Sequence, residues 1–256
     1  IRPVVDTYKA PPAVVAIEPV NEPWGSSDLP TLQNYYYSVY EYVRANAPGW
    51  RVVFHDAFLP ASTWSDFLPG CPAVVFDTHQ YLAFWNYGGD EWVFISGACS
   101  NTVVDTFESN GQPVIVGEWA SSTDSCVLWL EGWNDANGAP AYTCEYVECP
   151  ALPDGQPGPF PDGPAAGPYG HGNGDGYVST PEYGLCPKTH TFDSAGEFVR
   201  NATLAQLNVW ERGHGWAMWN FKSFDPAWSF LDATANGWIP ANVADTPTVA
   251  AESGVC

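Results

Sequence analysis

The chain is poor in basic residues. Lys and Arg together number 8 against 29 Asp and Glu, a formal net charge of -21. A surface of that sign repels nucleic acid and anionic membranes, which excludes both as partners and suits a neutral substrate. No run of 18 apolar residues occurs, so no membrane span is expected. No Gly-rich phosphate loop follows any apolar run that reads as a strand, which argues against a nucleotide site. No signal peptide is visible, and "IRPVVDTYKAPP" does not look like a natural N-terminus. The chain reads as a mature or processed piece of a secreted protein.

What is present is apolar and aromatic. The 256 residues are 45% hydrophobic, enough to bury the core of one large domain or two small ones. Aromatics reach 15%, with 13 Trp. Most of these belong in a core; the rest suit the flat apolar faces of sugar rings. Seven Cys point to an oxidising compartment, extracellular or cell wall, and the odd number leaves one without a partner in the chain. Asn201-Ala202-Thr203 is a glycosylation sequon, a weak signal on its own that is consistent with secretion.

Strands and helices alternate. Short apolar runs at Val14–Ile17, Arg51–His55, Ala73–Phe76, Pro113–Trp119 and Gly215–Phe221 read as five strands. Continuous rather than alternating runs indicate parallel strands buried on both faces. Helices are expected after Asp28, as N-cap with Pro30 in the first turn, up to Pro48-Gly49; over Glu91 to Glu108; and over Phe192 to Arg212. The pattern is an α/β parallel sheet with its polar and aromatic residues at the strand C-terminal ends. In a (β/α)8 TIM barrel that rim carries the active site. Residues 134 to 190 are too rich in Gly and Pro for regular elements and read as a long loop insertion on the active-site side, stapled by Cys144, Cys149 and Cys186.

Two strand-end carboxylates, Glu22 and Glu118, fit glycoside hydrolysis. One protonates the departing oxygen while the other attacks the anomeric carbon or activates water. The plainer reading is a pair of ordinary loop carboxylates. Their neighbours shift the balance. Asn21 beside Glu22 suits a sugar 2-hydroxyl. His79 and Tyr81, two apart, share a strand face, with Tyr81 positioned to bond a nucleophile and His79 to orient the acid. Trp219, Phe84 and Trp85 could stack on sugar rings. Core packing is the competing reading for each aromatic and for His79.

These residues fall in blocks. "AVVAIEPVNEP", "HDAF", "THQYLAF", "VIVGEWASSTDSC", "GWAMWNFKSFDPAWSF" and "NGWIP" resemble, in order, the fungal exo-β-1,3-glucanases of glycoside hydrolase family 5. The resemblance implies a (β/α)8 barrel and a retaining mechanism that needs no cofactor, with Glu22 as acid/base and Glu118 as nucleophile. Asn21, His79, Tyr81 and Trp219 match positions that line the site for the non-reducing-end sugar, and Phe84 matches an aromatic at the cleft entrance. His55 and Asp56 match "HDAF" on the fifth barrel strand, where a contact to sugar hydroxyls and a structural hydrogen bond are equally open for Asp56. The resemblance also implies the pairs Cys99–Cys256 and Cys126–Cys186. Cys144 and Cys149 would close a small loop, leaving Cys71 over.

In that family the acid/base Glu ends barrel strand four, whereas here it is residue 22. The chain is therefore expected to supply about strands 4–8 of a single catalytic-type domain over residues 1–256. Strands 1–3 would come from another chain or an unseen segment. The substrate implied is β-glucan or another β-glucoside. The rival is a non-catalytic glycan-binding or structural extracellular protein on the same barrel. Within the long loop, "HGNGDGYVSTPE" sets Asn173, Asp175 and Glu182 at positions three, five and twelve of an EF-hand-like loop. A plain surface loop is preferred there, with a weak structural Ca2+ site as the alternative.

Overall fold

The computed structural model describes residues 1–10, 13–84, 91–123, 197–223 and 226–256. Four parallel strands lie in the order β1 (Ala16–Ile17), β2 (Arg51–His55), β3 (Val74–Gln80) and β4 (Val114–Trp119). Helices are interleaved: α1 (Arg2–Tyr8), α2 (Leu29–Asn46), α3 (Glu91–Cys99), α4 (Val103–Ser109), α5 (Glu197–Trp210), α6 (Phe230–Ala235) and α7 (Thr246–Glu252). This is a partial (β/α)8 TIM barrel.

Each strand turns alternate residues to the helices and to the barrel lumen. Val52, Phe54, Val74, Phe76, Val114 and Val116 pack outward in one core with Leu32, Tyr36, Val39 and Val43 of α2. The 4, 3, 4 spacing of those α2 residues is one helical face. Asp28 caps α2 by accepting the Thr31 N–H at 3.0 Å. The Tyr36 hydroxyl donates to the His55 carbonyl at 3.0 Å, which ties the helix to the end of β2. Val53, His55, Val75, Asp77, Ile115 and Gly117 are left facing the lumen.

Several elements differ from expectation. The run at Gly215–Phe221 is not a regular strand; it makes one isolated parallel bridge, Val116 to Trp216. Its cause lies in β4. The bonds Val116 N–H to Gly215 O and Ala217 N–H to Val116 O are regular, but the next goes from Trp219 N–H to Trp119 O. One residue of β4 is skipped, so the ladder breaks. The helix expected over Glu91 to Glu108 is two, because Asn101 interrupts it. Its side chain accepts the Val103 N–H at 2.9 Å and donates to Gln80 Oε1 at 3.0 Å. β3 runs four residues further than Ala73–Phe76, because Asp77 pairs with both neighbouring strands and Thr78 to Gln80 continue the pairing with β4.

Asn201 of the glycosylation sequon lies inside α5, within the helix expected over Phe192 to Arg212, and Thr203 is fully buried, its hydroxyl bonded to the Val199 carbonyl. The 134–190 loop, the residues Asn173, Asp175 and Glu182, the pairs Cys126–Cys186 and Cys144–Cys149, Trp85 and the side chain of Phe84 lie outside the described residues.

Cys99 at the end of α3 and Cys256 are disulfide-bonded with Cα atoms 5.5 Å apart, and Cys71 is free. The bridge joins positions separated by 157 residues and so restricts a long loop in the unfolded chain. Replacing both Cys99 and Cys256 by Ala is expected to lower the unfolding free energy by about 2–4 kcal/mol, measured by denaturant titration.

Candidate active site

One irregularity in the sheet builds the site. Along β3 and β4 the register runs Asp77–Ile115, Thr78–Val116, and then His79–Glu118. Gly117 is passed over. Without that bulge Gly117 would stand opposite His79 and Glu118 would turn to the other face. The bulge needs glycine here, because a Cβ at 117 would overlap the Asp77 carboxylate. In its place the Gly117 N–H donates to Asp77 Oδ1 at 2.6 Å.

His79 is the hub. Its Nδ1 lies 2.6 Å from Glu22 Oε1 and 3.6 Å from Glu118 Oε2, and its Nε2 lies 3.4 Å from Asp77 Oδ2. Burial alone would lower the imidazole pKa. The hydrogen bonds to Asp77 and Glu22 and the charges of Asp77 and Glu118 outweigh it and raise the pKa to about 9. Both nitrogens therefore carry protons near neutral pH, and His79 donates to Glu22 and to Asp77. Glu118 is raised above the usual carboxylate range, first by burial, against the Tyr81 hydrogen bond and the His79 charge. The Tyr81 hydroxyl donates to Glu118 Oε2 at 2.6 Å.

The backbone around the site is strained. Glu22, Ala57 and Phe58 have φ of 45°, 57° and 57°. Left-handed backbone costs a non-glycine residue roughly 1–2 kcal/mol. Glu22 is held there by its bond to His79. Ala57 and Phe58 are held by two side chains that precede them. His55 Nδ1 accepts the Ala57 N–H at 2.9 Å, and Asp56 Oδ1 accepts the Phe58 N–H at 2.8 Å.

Asp56 is thus held in structural hydrogen bonds, one of the two roles expected for it. It is 3% exposed, and its second oxygen accepts from the Thr78 hydroxyl at 2.6 Å. His55 is fully buried and its pKa falls to about 4, through burial and then the His79 charge, so the ring is neutral. Glu22, His55 and His79 bring potential ligand atoms within 4.8 Å of one another. Among these atoms, His55 Nδ1 is already taken by the Ala57 N–H and His79 Nδ1 by Glu22.

Asn21 is exposed beside Glu22. Trp219 is half-buried and packs edge-on against Trp228 at 5.6 Å, while Trp228 stacks on Tyr81 at 5.5 Å. Glu22, Glu118, His79 and Tyr81 are therefore in direct contact as one group, and Trp219 joins it through Trp228. Three residues of this arrangement escape a reading for catalytic motifs: Asp77, Gly117 and Glu18. Asp77 had a signal, since it stands two before His79 and so on the same strand face.

A sequence model of the family Cellulase (glycosyl hydrolase family 5) matches residues 1–145, which hold all four strands and both carboxylates. The chain belongs to glycosyl hydrolase family 5. Among its family relatives, the probable glucan 1,3-beta-glucosidase A of Aspergillus niger is 30% identical over 252 residues, covering 93% of this chain and 51% of that protein. The glucan 1,3-beta-glucosidase of Blumeria graminis is 30% identical over 241 residues, covering 89% of this chain and 48% of that one. The chain thus spans about half the length of the curated relatives it matches. Among solved structures, the rutinosidase from Aspergillus niger aligns with a TM-score of 0.46 at 15% identity, over 87% of this chain and 51% of that one. A likeness that low establishes nothing about the site.

The His79 charge makes stability depend on pH. Its folded pKa of about 9 lies above the free value of 6.5. The contribution is therefore complete below about pH 6.5 and is lost as pH rises through about 9. Denaturant titrations across that window are expected to show falling stability in the wild type and a flatter profile in His79→Gln.

Proposed function

We propose that the chain carries the catalytic pair of a retaining glycoside hydrolase acting on β-1,3-glucan, exo-type and releasing glucose. Glu22 is the acid/base and Glu118 the nucleophile. The observation that carries this reading is the shared nitrogen: His79 Nδ1 stands 2.6 Å from one carboxylate and 3.6 Å from the other. The two oxygens can be no further apart than those distances laid end to end. That is shorter than the roughly 6.5–9.5 Å that leaves room for a water between inverting carboxylates, and it suits the roughly 5–5.5 Å of a double displacement.

The residues divide the work. Glu118 attacks the anomeric carbon as a carboxylate, and the Tyr81 hydroxyl fixes the oxygen it bonds. Glu22, with its side chain about a third exposed, reaches the leaving oxygen from the solvent side. It gives its proton in the first step and takes one from water in the second. The His79 cation between them faces the charged Glu118 before the first step and the charged Glu22 after it. Asn21 and Trp219 bind the sugar, the former at its 2-hydroxyl. The relatives named for glucan 1,3-beta-glucosidase activity support the β-1,3-glucan substrate. An intact acid pair with its supporting bonds disfavours a purely glycan-binding role.

The barrel that houses this chemistry has more strands than are described here. The sheet has an open edge at β1, and beyond the Trp216 bridge no further strand pairs among the described residues. In our reading, strands from another chain or a further segment complete it. We also place the protein outside the cell or in the wall, where its Cys99–Cys256 bridge is stable. No described helix is long and apolar enough to cross a membrane.

In the complete assembly, Glu118→Gln is expected to abolish glucose release from laminarin. Glu22→Ala is expected to lower turnover on the order of 10²–10⁴-fold, with recovery by added azide on a substrate that has a good leaving group. Hydrolysis unchanged by either substitution would reject the assignment.

A further inference from the structure

Below the His79 cluster sits a carboxyl group that the proposed reaction does not use. Glu18 follows β1 directly. Ile17 packs into the helix-side core, so Glu18 turns to the lumen, the face that also carries Asp77. Glu18 Oε1 is buried and has no hydrogen-bond partner. The Asp77 carboxylate stands within hydrogen-bonding reach of the Glu18 side chain. Two ionised carboxylates repel; with one proton between them they bond.

The surroundings decide which of the two is ionised. Asp77 accepts the Gly117 N–H at 2.6 Å and faces the protonated His79 Nε2 at 3.4 Å. Both donors favour a charged Asp77. Glu18 has neither. Burial first, and then the Asp77 charge, push its pKa up to about 8, against a smaller pull from His79. The ionisable groups that face Glu18 are Asp77 and His79 of β3, Glu118 of β4 and Tyr36 of α2. Two of these four are carboxylates, and a charge on Glu18 would add to their repulsion.

We propose that Glu18 and Asp77 share one proton, and that protonated Glu18 is a positioning residue that fixes Asp77 and, through it, the His79 imidazolium spanning Glu22 and Glu118. The shared proton is independent of the proposed reaction; only its effect on turnover rests on that reading. Glutamine at 18 keeps a donor for Asp77 at nearly the same place. Leucine fills similar space and keeps none, leaving Asp77 with one donor fewer and His79 less well held.

The test has two arms. In the chain labelled with carbon-13 at its glutamate carboxyls, one resonance titrates near pH 8, and Glu18→Gln removes it. A Glu18 resonance that titrates at about 4, as in a free side chain, overturns the shared proton. In the complete assembly assayed on 4-nitrophenyl β-glucoside at about pH 5, Glu18→Gln keeps kcat within about twofold of wild type and Glu18→Leu loses about tenfold or more. Equal kcat for the two variants overturns the positioning role. If the wild type itself has no turnover while the resonance titrates near pH 8, the functional reading fails and the proton-sharing pair stands.

Discussion

The site rests on one cation. Among the described residues His79 is the only positive charge set among Glu22, Asp77 and Glu118, and each of the three reaches one of its nitrogens. Three carboxylates this close in a half-buried lumen could not all remain ionised on their own. The imidazolium makes the cluster tolerable and at the same time sets its geometry. Bonds to both ring nitrogens fix the plane of the ring. That plane then fixes where Glu22 stands relative to Glu118.

Much of the remaining local structure supports that ring. The β4 bulge at Gly117 turns Glu118 toward His79 and gives Asp77 a backbone donor. The Glu22 φ of 45° is tolerated because the side chain ends on His79 Nδ1. The adjoining Ala57 and Phe58 turn is held by His55 and Asp56. Strain of this kind persists only where neighbouring bonds over-determine it. The αL residues, the bulge and the buried neutral His55 all lie within the same few strand ends.

The sequence carried the strands well and their ends less well. Short β-branched runs marked β2 and β4 almost to the residue, because their apolar residues pack into the sheet's core. β3 was read too short, since D-T-H-Q looks like a polar loop until its pairing with β4 is known. The break at Asn101 depends on a bond to Gln80, twenty-one positions away, and no local pattern records it. Glu22, Glu118, His79 and Tyr81 were legible because strand ends and i, i+2 spacing speak about direction. For the same reason the sequence leaves Asp56 open between a sugar contact and a structural bond. It stands at a strand end, but Thr78 and the Phe58 N–H take both of its oxygens. Gly117 and Glu18 act through shape and burial, which no motif expresses.

The central claim is that one imidazolium holds two carboxylates close enough for a double displacement. The most direct measurement is the anomeric form of the first glucose released from laminarin-derived oligosaccharides by the complete assembly, followed by proton NMR before mutarotation. β-Glucose appearing first is the result this account predicts. α-Glucose appearing first would mean that a water, and not Glu118, attacks the anomeric carbon, and would contradict it.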